Sequence, residues 1–78
     1  MSVTVLYFAS LRDAAGVDSE SLPVPASLTA LYAELRARHG FVLPAEKLRV
    51  AVDGAFAAWD TAVADGSEIA FIPPVSGG

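Results

Sequence analysis

The residues best suited to chemistry stand together at the C-terminal end, in the run Pro73-Pro74-Val75-Ser76-Gly77-Gly78. Proline fixes its own φ and favours an extended, polyproline-like path, so this run is predicted to project outward from whatever precedes it. Gly77 and Gly78 carry no side chains and adopt almost any φ, which lets them enter a narrow channel. The reactive group at the tip is then the α-carboxylate of Gly78.

An α-carboxylate has a pKa of ~3.5, is ionised at neutral pH and is a poor electrophile. It therefore needs activation before a nucleophile will attack it. Because the sequence contains no nucleotide-binding loop, we expect a partner enzyme to adenylate it, after which sulfur or an amine can displace the adenylate. The alternative at this point is that Gly77-Gly78 is an ordinary frayed terminus.

Length and charge exclude several functions. The chain has 78 residues, enough for one domain and too few for a two-domain enzyme. Hydrophobic residues make up 54% of the sequence, so a buried core is expected. Five Lys and Arg against nine Asp and Glu give a net charge of −4, which repels phosphate backbones. Nucleic acid is therefore not expected as a partner.

Cysteine and histidine usage limits the chemistry further. With no cysteine and one histidine, the sequence excludes a disulfide framework, a thiolate nucleophile and a multi-His or Cys-ligated metal site. No apolar stretch approaches the ~20 residues of a membrane span, and the first residues lack a signal-peptide pattern. We expect no metal, no membrane partner and a cytoplasmic location.

Hydrophobic periodicity and turn residues predict five short strands and two helices. The strands are expected at residues 3–8, 20–24, 48–52, 55–58 and 68–72, and the helices at 10–15 and 28–39. Ser10 is predicted to cap the short helix and Ser27 the long one, which Gly40 ends. His39, in the last turn, is interpreted as a helix-end cation rather than a ligand. Asp53-Gly54 predicts a hairpin turn.

One long amphipathic helix among five strands predicts an α+β domain in which the helix covers one sheet face. A β-grasp arrangement satisfies this order, with the first and last strands parallel at the centre of a mixed sheet. Residues 1–72 are assigned to the β-grasp domain and residues 73–78 to an extended tail.

Three segments make the chain resemble the small, sulfur-carrying subunit of molybdopterin synthase. They are Val5-Leu6-Tyr7-Phe8-Ala9-Ser10-Leu11-Arg12, Val50-Ala51-Val52-Asp53 and Phe71-Ile72-Pro73-Pro74-Val75-Ser76-Gly77-Gly78. The resemblance spans nearly the whole chain. Its most discriminating part is the double proline, because thiamine-pathway carriers share the fold and the Gly-Gly ending but generally lack it. Ser76 stands where a small hydroxyl residue is usual in the family.

The resemblance implies that an E1-like enzyme adenylates Gly78 with ATP and that sulfur, supplied by a sulfurtransferase, replaces the adenylate to give a thiocarboxylate. The thiocarboxylate then donates sulfur to cyclic pyranopterin monophosphate, forming the molybdopterin dithiolene. By the same resemblance, the tail enters a large subunit in a heterotetramer, and the catalytic side chains lie on that subunit. The chain is then a non-catalytic subunit that binds no cofactor itself, because only the activating enzyme uses ATP.

Strand parity predicts which side chains the long helix leaves uncovered. The inward set is Val50, Val52, Ile69 and Phe71, and the outward set is Leu6, Phe8, Ala51, Ala70 and Ile72. With Phe56, which follows the hairpin turn, Phe8 and Ile72 are expected to form an apolar docking patch beside the tail, where the family has apolar interface residues. Arg12 either meets an acidic group on a partner or is a solvated cation. The alternative for the apolar residues is a misjudged register that makes them core.

Three other functions stay open. The first is a thiamine or tRNA-thiolation carrier, which Pro73-Pro74 argues against. The second is a ubiquitin-like modifier whose Gly78 forms isopeptide bonds with lysines. The third is a docking module with an inert terminus.

Overall fold

The computed structural model describes residues 1–74, so the expectations for Val75, Ser76, Gly77 and Gly78 lie outside the described residues. All seven predicted elements are present, and no end differs from its predicted position by more than one residue. They are β1 (Ser2–Tyr7), α1 (Ala9–Ala15), β2 (Ser19–Pro23), α2 (Leu28–His39), β3 (Arg49–Val52), β4 (Ala55–Ala57) and β5 (Glu68–Ile72), with a 3₁₀ turn at Ala45–Lys47.

The strands form one mixed sheet in the order β2-β1-β5-β3-β4. β1 and β5 are parallel neighbours at its centre, with Val5 opposite Ile69. β2 adds antiparallel to β1, and β3 adds antiparallel to β5. This order confirms the β-grasp prediction. It also makes the strand that leads into the C-terminal tail the middle strand of the sheet.

Helix α2 covers one face of this sheet because four apolar residues repeat at helical spacing. Leu28, Leu31, Tyr32 and Leu35 are all buried, as the sequence predicted. The predicted cap is present, since Ser27 Oγ accepts a hydrogen bond from the Ala30 N–H at 3.0 Å. Gly40 ends the helix in the left-handed region, at φ 73°. No helix within residues 1–74 has the length and apolar content needed to cross a bilayer.

The core lies between α2 and the sheet and is built from the inward parity of the strands. Its strand residues include Val3, Val5, Tyr7, Val50, Ile69 and Phe71, each at most 2% exposed. Full burial of one such side chain stabilises the folded state by roughly 1.5–3 kcal/mol. The burial of Val50, Ile69 and Phe71 confirms the inward parity predicted for β3 and β5.

The predicted start of α1 is wrong. The helix begins at Ala9, its preceding residue is Phe8, and no side chain caps it. The first turn closes on the Phe8 carbonyl, which accepts from the Leu11 N–H at 3.1 Å, so Phe8 occupies the cap position two residues before Ser10. The chain reverses directly after Phe8 through a positive φ of 50° at Ala9. This tight exit holds Phe8 at the end of β1.

The β3–β4 hairpin has the predicted turn. Asp53 and Gly54 have φ of 53° and 86°, the pair of left-handed conformations that a type I′ turn requires. Asp53 Oδ1 also accepts from the Glu68 N–H at 2.9 Å, which ties the turn to the start of β5. This aspartate therefore has a structural role.

Candidate functional site

The sheet face opposite α2 carries a shallow apolar groove, here called the open-face groove. It encloses about 250 Å³. Its lining residues come from β1, the β3–β4 hairpin and β5, and they are Leu6, Phe8, Ala51, Gly54, Phe56, Glu68, Ala70 and Ile72. Every residue that parity assigned to the outward face lines this groove. Ala70 is nonetheless 8% exposed, because a small residue on the central strand is shielded by its neighbours.

Two large aromatic side chains in this groove remain in contact with solvent. Phe8 is 44% exposed and Phe56 is 68% exposed, while Ile72 is half-buried between them and the tail. Isolated exposed apolar residues are ordinary on protein surfaces, but a contiguous set around a groove is typical of an interaction site. The structure thus brings together the three apolar residues predicted from the sequence. Their role as partner contacts stays a prediction.

Arg12 lies on α1, outside the residues that line the open-face groove. Its side chain is 54% exposed, and its Nε is 3.8 Å from Asp18 Oδ1. An exposed pair at this separation contributes little to stability. Arg12 stays close to the groove through the backbone, because its N–H donates to the Phe8 carbonyl at 3.4 Å.

The tail leaves the sheet from the end of β5, beside the open-face groove. Ile72 pairs with Arg49 of β3, Pro73 is buried and Pro74 is exposed. Because β1 and β5 are parallel, Phe8 and Ile72 lie at the same end of the sheet. The tail therefore begins directly beside the exposed apolar residues of the groove.

The sequence analysis did not single out Arg49, which belongs to the same surface. Its guanidinium carbon is 5.7 Å from the centroid of the Phe56 ring, within range of a cation–π interaction. The available signal was strand parity, since Arg49 alternates with Val50 and shares the outward side with Ala51. An exposed arginine at the start of a strand is otherwise typical of a solvated surface charge.

A second polar cluster lies at the other edge of the sheet and was also missed. Glu20 Oε1 accepts from the Tyr7 hydroxyl at 2.5 Å and lies 2.6 Å from His39 Nε2, and Glu20 Oε2 is 3.6 Å from Arg38. The Tyr7 hydrogen bond lowers the pKa of Glu20, assisted by His39 and Arg38 against the opposing effect of burial. Burial first, and then the bond to Glu20, raises the pKa of Tyr7.

This cluster has a structural explanation. It joins the edge strand β2 to β1 and to the last turn of α2, where His39 was predicted as a helix-end cation. No group of three or more His, Asp or Glu side chains arranged to hold a metal ion occurs in the described part of the chain.

A five-stranded mixed sheet crossed by one helix, with the C-terminal tail on its central strand, defines a small ubiquitin-like β-grasp protein. The chain belongs to the ThiS family, whose sequence profile matches residues 5–78. It is 34% identical over 80 residues to the molybdopterin synthase sulfur carrier subunit of Escherichia coli (strain K12), covering 97% of this chain and 99% of that protein. The protein of the same name from Haemophilus influenzae is 36% identical over 80 residues, with the same coverage.

Among solved structures, SAMP1 from Haloferax volcanii has the same fold. It is 28% identical, has a TM-score of 0.78, and the match covers 100% of both chains. Both kinds of relative are matched over 97% or more of this chain.

Proposed function

We propose that this chain is the sulfur-carrier subunit of molybdopterin synthase and that Gly78 carries the sulfur as a C-terminal thiocarboxylate. The supporting observation is the full-length likeness to two proteins named as that subunit. The tail Pro73-Pro74-Val75-Ser76-Gly77-Gly78 agrees with it, because that tail follows the central strand directly.

The proposed chemistry proceeds in two displacements on the terminal carboxyl group. A carboxylate oxygen of Gly78 attacks the α-phosphorus of ATP and releases pyrophosphate, giving an acyl adenylate with a reactive carbonyl. A sulfur nucleophile at the oxidation level of hydrosulfide then attacks that carbonyl and releases AMP, leaving the thiocarboxylate. Two such transfers to cyclic pyranopterin monophosphate, from two thiocarboxylated copies of the chain, supply the two sulfurs of the dithiolene. Hydrolysis of each acyl–sulfur bond by water returns Gly78 as a carboxylate.

The chain's own residues serve this cycle by presentation rather than by catalysis. Pro73 and Pro74 direct the tail away from the sheet, and the glycines keep it slim. Phe8, Phe56 and Ile72 supply the apolar contact that holds a partner against the open-face groove. We assign Arg12 to the edge of the same contact surface, because it lies one helical turn beyond Phe8.

Three partners follow from this function. The large subunit receives the tail and supplies the catalytic side chains, with two copies of each chain in a heterotetramer. An E1-like enzyme adenylates Gly78, and a sulfurtransferase provides the sulfur. The carrier itself binds no cofactor, since ATP is bound by the activating enzyme. We place the chain in the cytoplasm, where that enzyme has access to ATP.

Reconstitution tests the proposal. The full chain, activated and mixed with the large subunit and the pterin precursor, is expected to yield the dithiolene. A variant lacking Gly78 still ends in a glycine carboxylate but is shorter by about 3.5 Å of extended chain, so its carboxylate fails to reach the reacting groups. Thermal melting of both chains controls for folding. Dithiolene formation by the shortened chain at the normal rate would refute the proposal.

A second candidate is a protein modifier, favoured by the likeness to a protein called small archaeal modifier protein 1. In that case a lysine amine, rather than sulfur, displaces the adenylate and forms an isopeptide bond. Conjugates on lysines without a thiocarboxylate would establish the modifier instead. A thiamine or tRNA-thiolation carrier would form the same thiocarboxylate, so complementation of pterin and thiazole auxotrophs separates those pathways.

A further inference from the structure

The distribution of positive side chains on this acidic protein is uneven. Of the five Lys and Arg residues, Arg12 and Arg38 pair with carboxylates, and Arg36 donates to two loop carbonyls. Lys47 and Arg49 make neither an ion pair nor a side-chain hydrogen bond with any residue in the range 1–74. The two cations without a described partner are therefore close neighbours in the sequence.

Both cations line a second groove, here called the tail-root groove, of about 590 Å³. It is formed by Glu46, Lys47, Leu48, Arg49, Phe56, Ile72, Pro73 and Pro74. Because Phe56 and Ile72 belong to both grooves, the tail-root groove continues the open-face groove toward the start of the tail. Glu46 contributes a carboxylate here, but it forms no ion pair with a residue of the described chain.

Arg49 is prepared to bind a planar anion. Its guanidinium lies over the Phe56 ring at 5.7 Å, an arrangement that restricts the side chain and leaves the N–H edge available. That edge is a fork of donors whose spacing matches the two oxygens of a carboxylate. Lys47 adds a second positive charge to the same groove.

Negative charge gathers at the opposite end of the sheet. Asp53 and Glu68 are joined there by the 2.9 Å bond between the Asp53 side chain and the Glu68 N–H. Glu68 is four residues before Ile72 on β5, roughly 13 Å along the strand. This separation exceeds the Debye length of ~8 Å at physiological salt. Among the described residues of the tail-root groove, Lys47 and Arg49 therefore outweigh Glu46 by one positive charge, although the chain has a net charge of −4.

We propose that Arg49, held by Phe56 and assisted by Lys47, binds a carboxylate on the rim of the large-subunit channel that receives the tail. This inference rests on the proposed function. Beyond Pro74 the chain has four residues, which span at most about 14 Å. With the tail extended in the channel, the phosphate of the pterin substrate would lie near Gly78 and beyond the reach of Arg49. Arg49, beside Pro73 and Pro74, would lie at the channel rim. Charge complementarity therefore favours acidic side chains on that rim.

Affinity for the purified large subunit at two salt concentrations tests the inference. Relative to the wild type, Arg49→Ala is expected to weaken binding ~10-fold and Arg49→Glu ~100-fold at about 50 mM salt. At about 300 mM salt the loss for Arg49→Ala should shrink to ~3-fold, because screening has already weakened the wild-type contact. Arg49→Lys keeps the charge without the fork and should fall between wild type and Arg49→Ala.

Arg38→Ala is the matched control, since it also removes one positive charge but from α2, on the covered side. It should change affinity by less than ~2-fold. Thermal melting checks that each variant is folded. Equal effects of Arg38→Ala and Arg49→Ala, or a loss at Arg49 that is the same at both salt concentrations, would overturn the inference.

Thiocarboxylate formation separates this inference from the proposed function. Arg49→Glu should be thiocarboxylated by the activating enzyme like the wild type, because the contact belongs to the large subunit. If Arg49→Glu loses thiocarboxylation yet binds the large subunit normally, the Arg49 charge serves the contact with the activating enzyme, and the inference is wrong. Absence of a thiocarboxylate on the wild type would instead reject the proposed function.

Discussion

Under α2 the sheet presents Val5, Ile69 and Phe71 with no exposed surface, whereas on the opposite face Phe8 and Phe56 remain 44% and 68% exposed. Alternation along the same strands produces both faces, so the local propensity of the residues does not distinguish them. The difference is that only one face has a helix to cover it. The open face thus has no covering element among the described residues, and the tail begins at the end of β5 beside it.

The polar side chains on the covered side of the sheet also differ from those on the open side. On the covered side, the Glu20 carboxylate is surrounded by Tyr7, His39 and Arg38, which satisfy it within the chain. On the open side, Arg49 has an aromatic platform and no anionic partner in the described residues. The Glu20 carboxylate is satisfied within the chain, and its contacts stabilise the fold. The Arg49 guanidinium remains available to bind an anion on another molecule.

The largest effect is expected from a cavity on the covered face. Leu35→Ala removes a fully buried side chain from α2 and should lower the free energy of unfolding by about 3 kcal/mol. For a domain of this size that corresponds to a fall in melting temperature of roughly 12–24 °C. Urea denaturation gives the free energy directly. A loss below about 1 kcal/mol would show that α2 does not hold the core.

Phe56→Asp tests the open face. Because Phe56 is mostly exposed, the substitution should leave the melting temperature within ~3 °C of the wild type. Affinity for the large subunit should fall at least ~30-fold, or by ~2 kcal/mol, through loss of an apolar anchor and burial of a charge. Titration calorimetry and thermal melting measure the two quantities. Unfolding of Phe56→Asp, or unchanged binding, would remove the distinction between the faces.

The Glu20 cluster gives the covered side a dependence on pH. The Tyr7 hydroxyl bond lowers the pKa of Glu20 below its ordinary 4.5 in the folded chain. Glu20 therefore contributes stability above pH 4.5, and this contribution is lost as the pH falls through the lower folded pKa. Glu20→Gln should cost about 1.5 kcal/mol at pH 7.

The check is urea denaturation from pH 7 to pH 3. The difference in stability between wild type and Glu20→Gln should narrow as the pH falls. A difference in unfolding free energy that stays constant with pH would mean that the Glu20 charge does not contribute to stability. Binding of the large subunit at pH 7 should be unchanged, since Glu20 lies away from the open-face groove.

The smallest effect concerns the helix cap. Ser27→Ala removes the acceptor of the Ala30 N–H and should lower stability by about 1 kcal/mol. It should not change partner affinity, because the cap belongs to the covered side. Chemical denaturation detects the first effect and calorimetry the second. An affinity loss as large as that of Phe56→Asp would show that the two faces are coupled.

Local signals in the sequence were sufficient for most of the fold. Ser27 and Gly40 bound α2, Asp53-Gly54 sets the hairpin, and parity along β5 separates Ile69 from Ile72. Each of these depends on residues within a few positions of one another. The predicted cap of α1 was wrong because the chain turns directly after Phe8, and no local residue type marks that turn.

The parts that could not be predicted depend on tertiary contacts. Glu20 meets Tyr7 across 13 positions and His39 across 19, so its partners appear only after β1, β2 and α2 have packed. The stacking of Arg49 on Phe56 requires the hairpin register, which sets Ala51 opposite Phe56. Parity predicts the apolar groove and also places Arg49 on the outward side, but the contact of Arg49 with Phe56 and the position of Lys47 in the same groove depend on tertiary structure.

The most direct test of the central claim is the intact mass of the chain after incubation with ATP, its cognate E1-like enzyme and a sulfur source. We predict a product in which one oxygen is replaced by one sulfur, located by fragmentation at Gly78. An unchanged mass with every E1-like enzyme of the source organism would contradict the account.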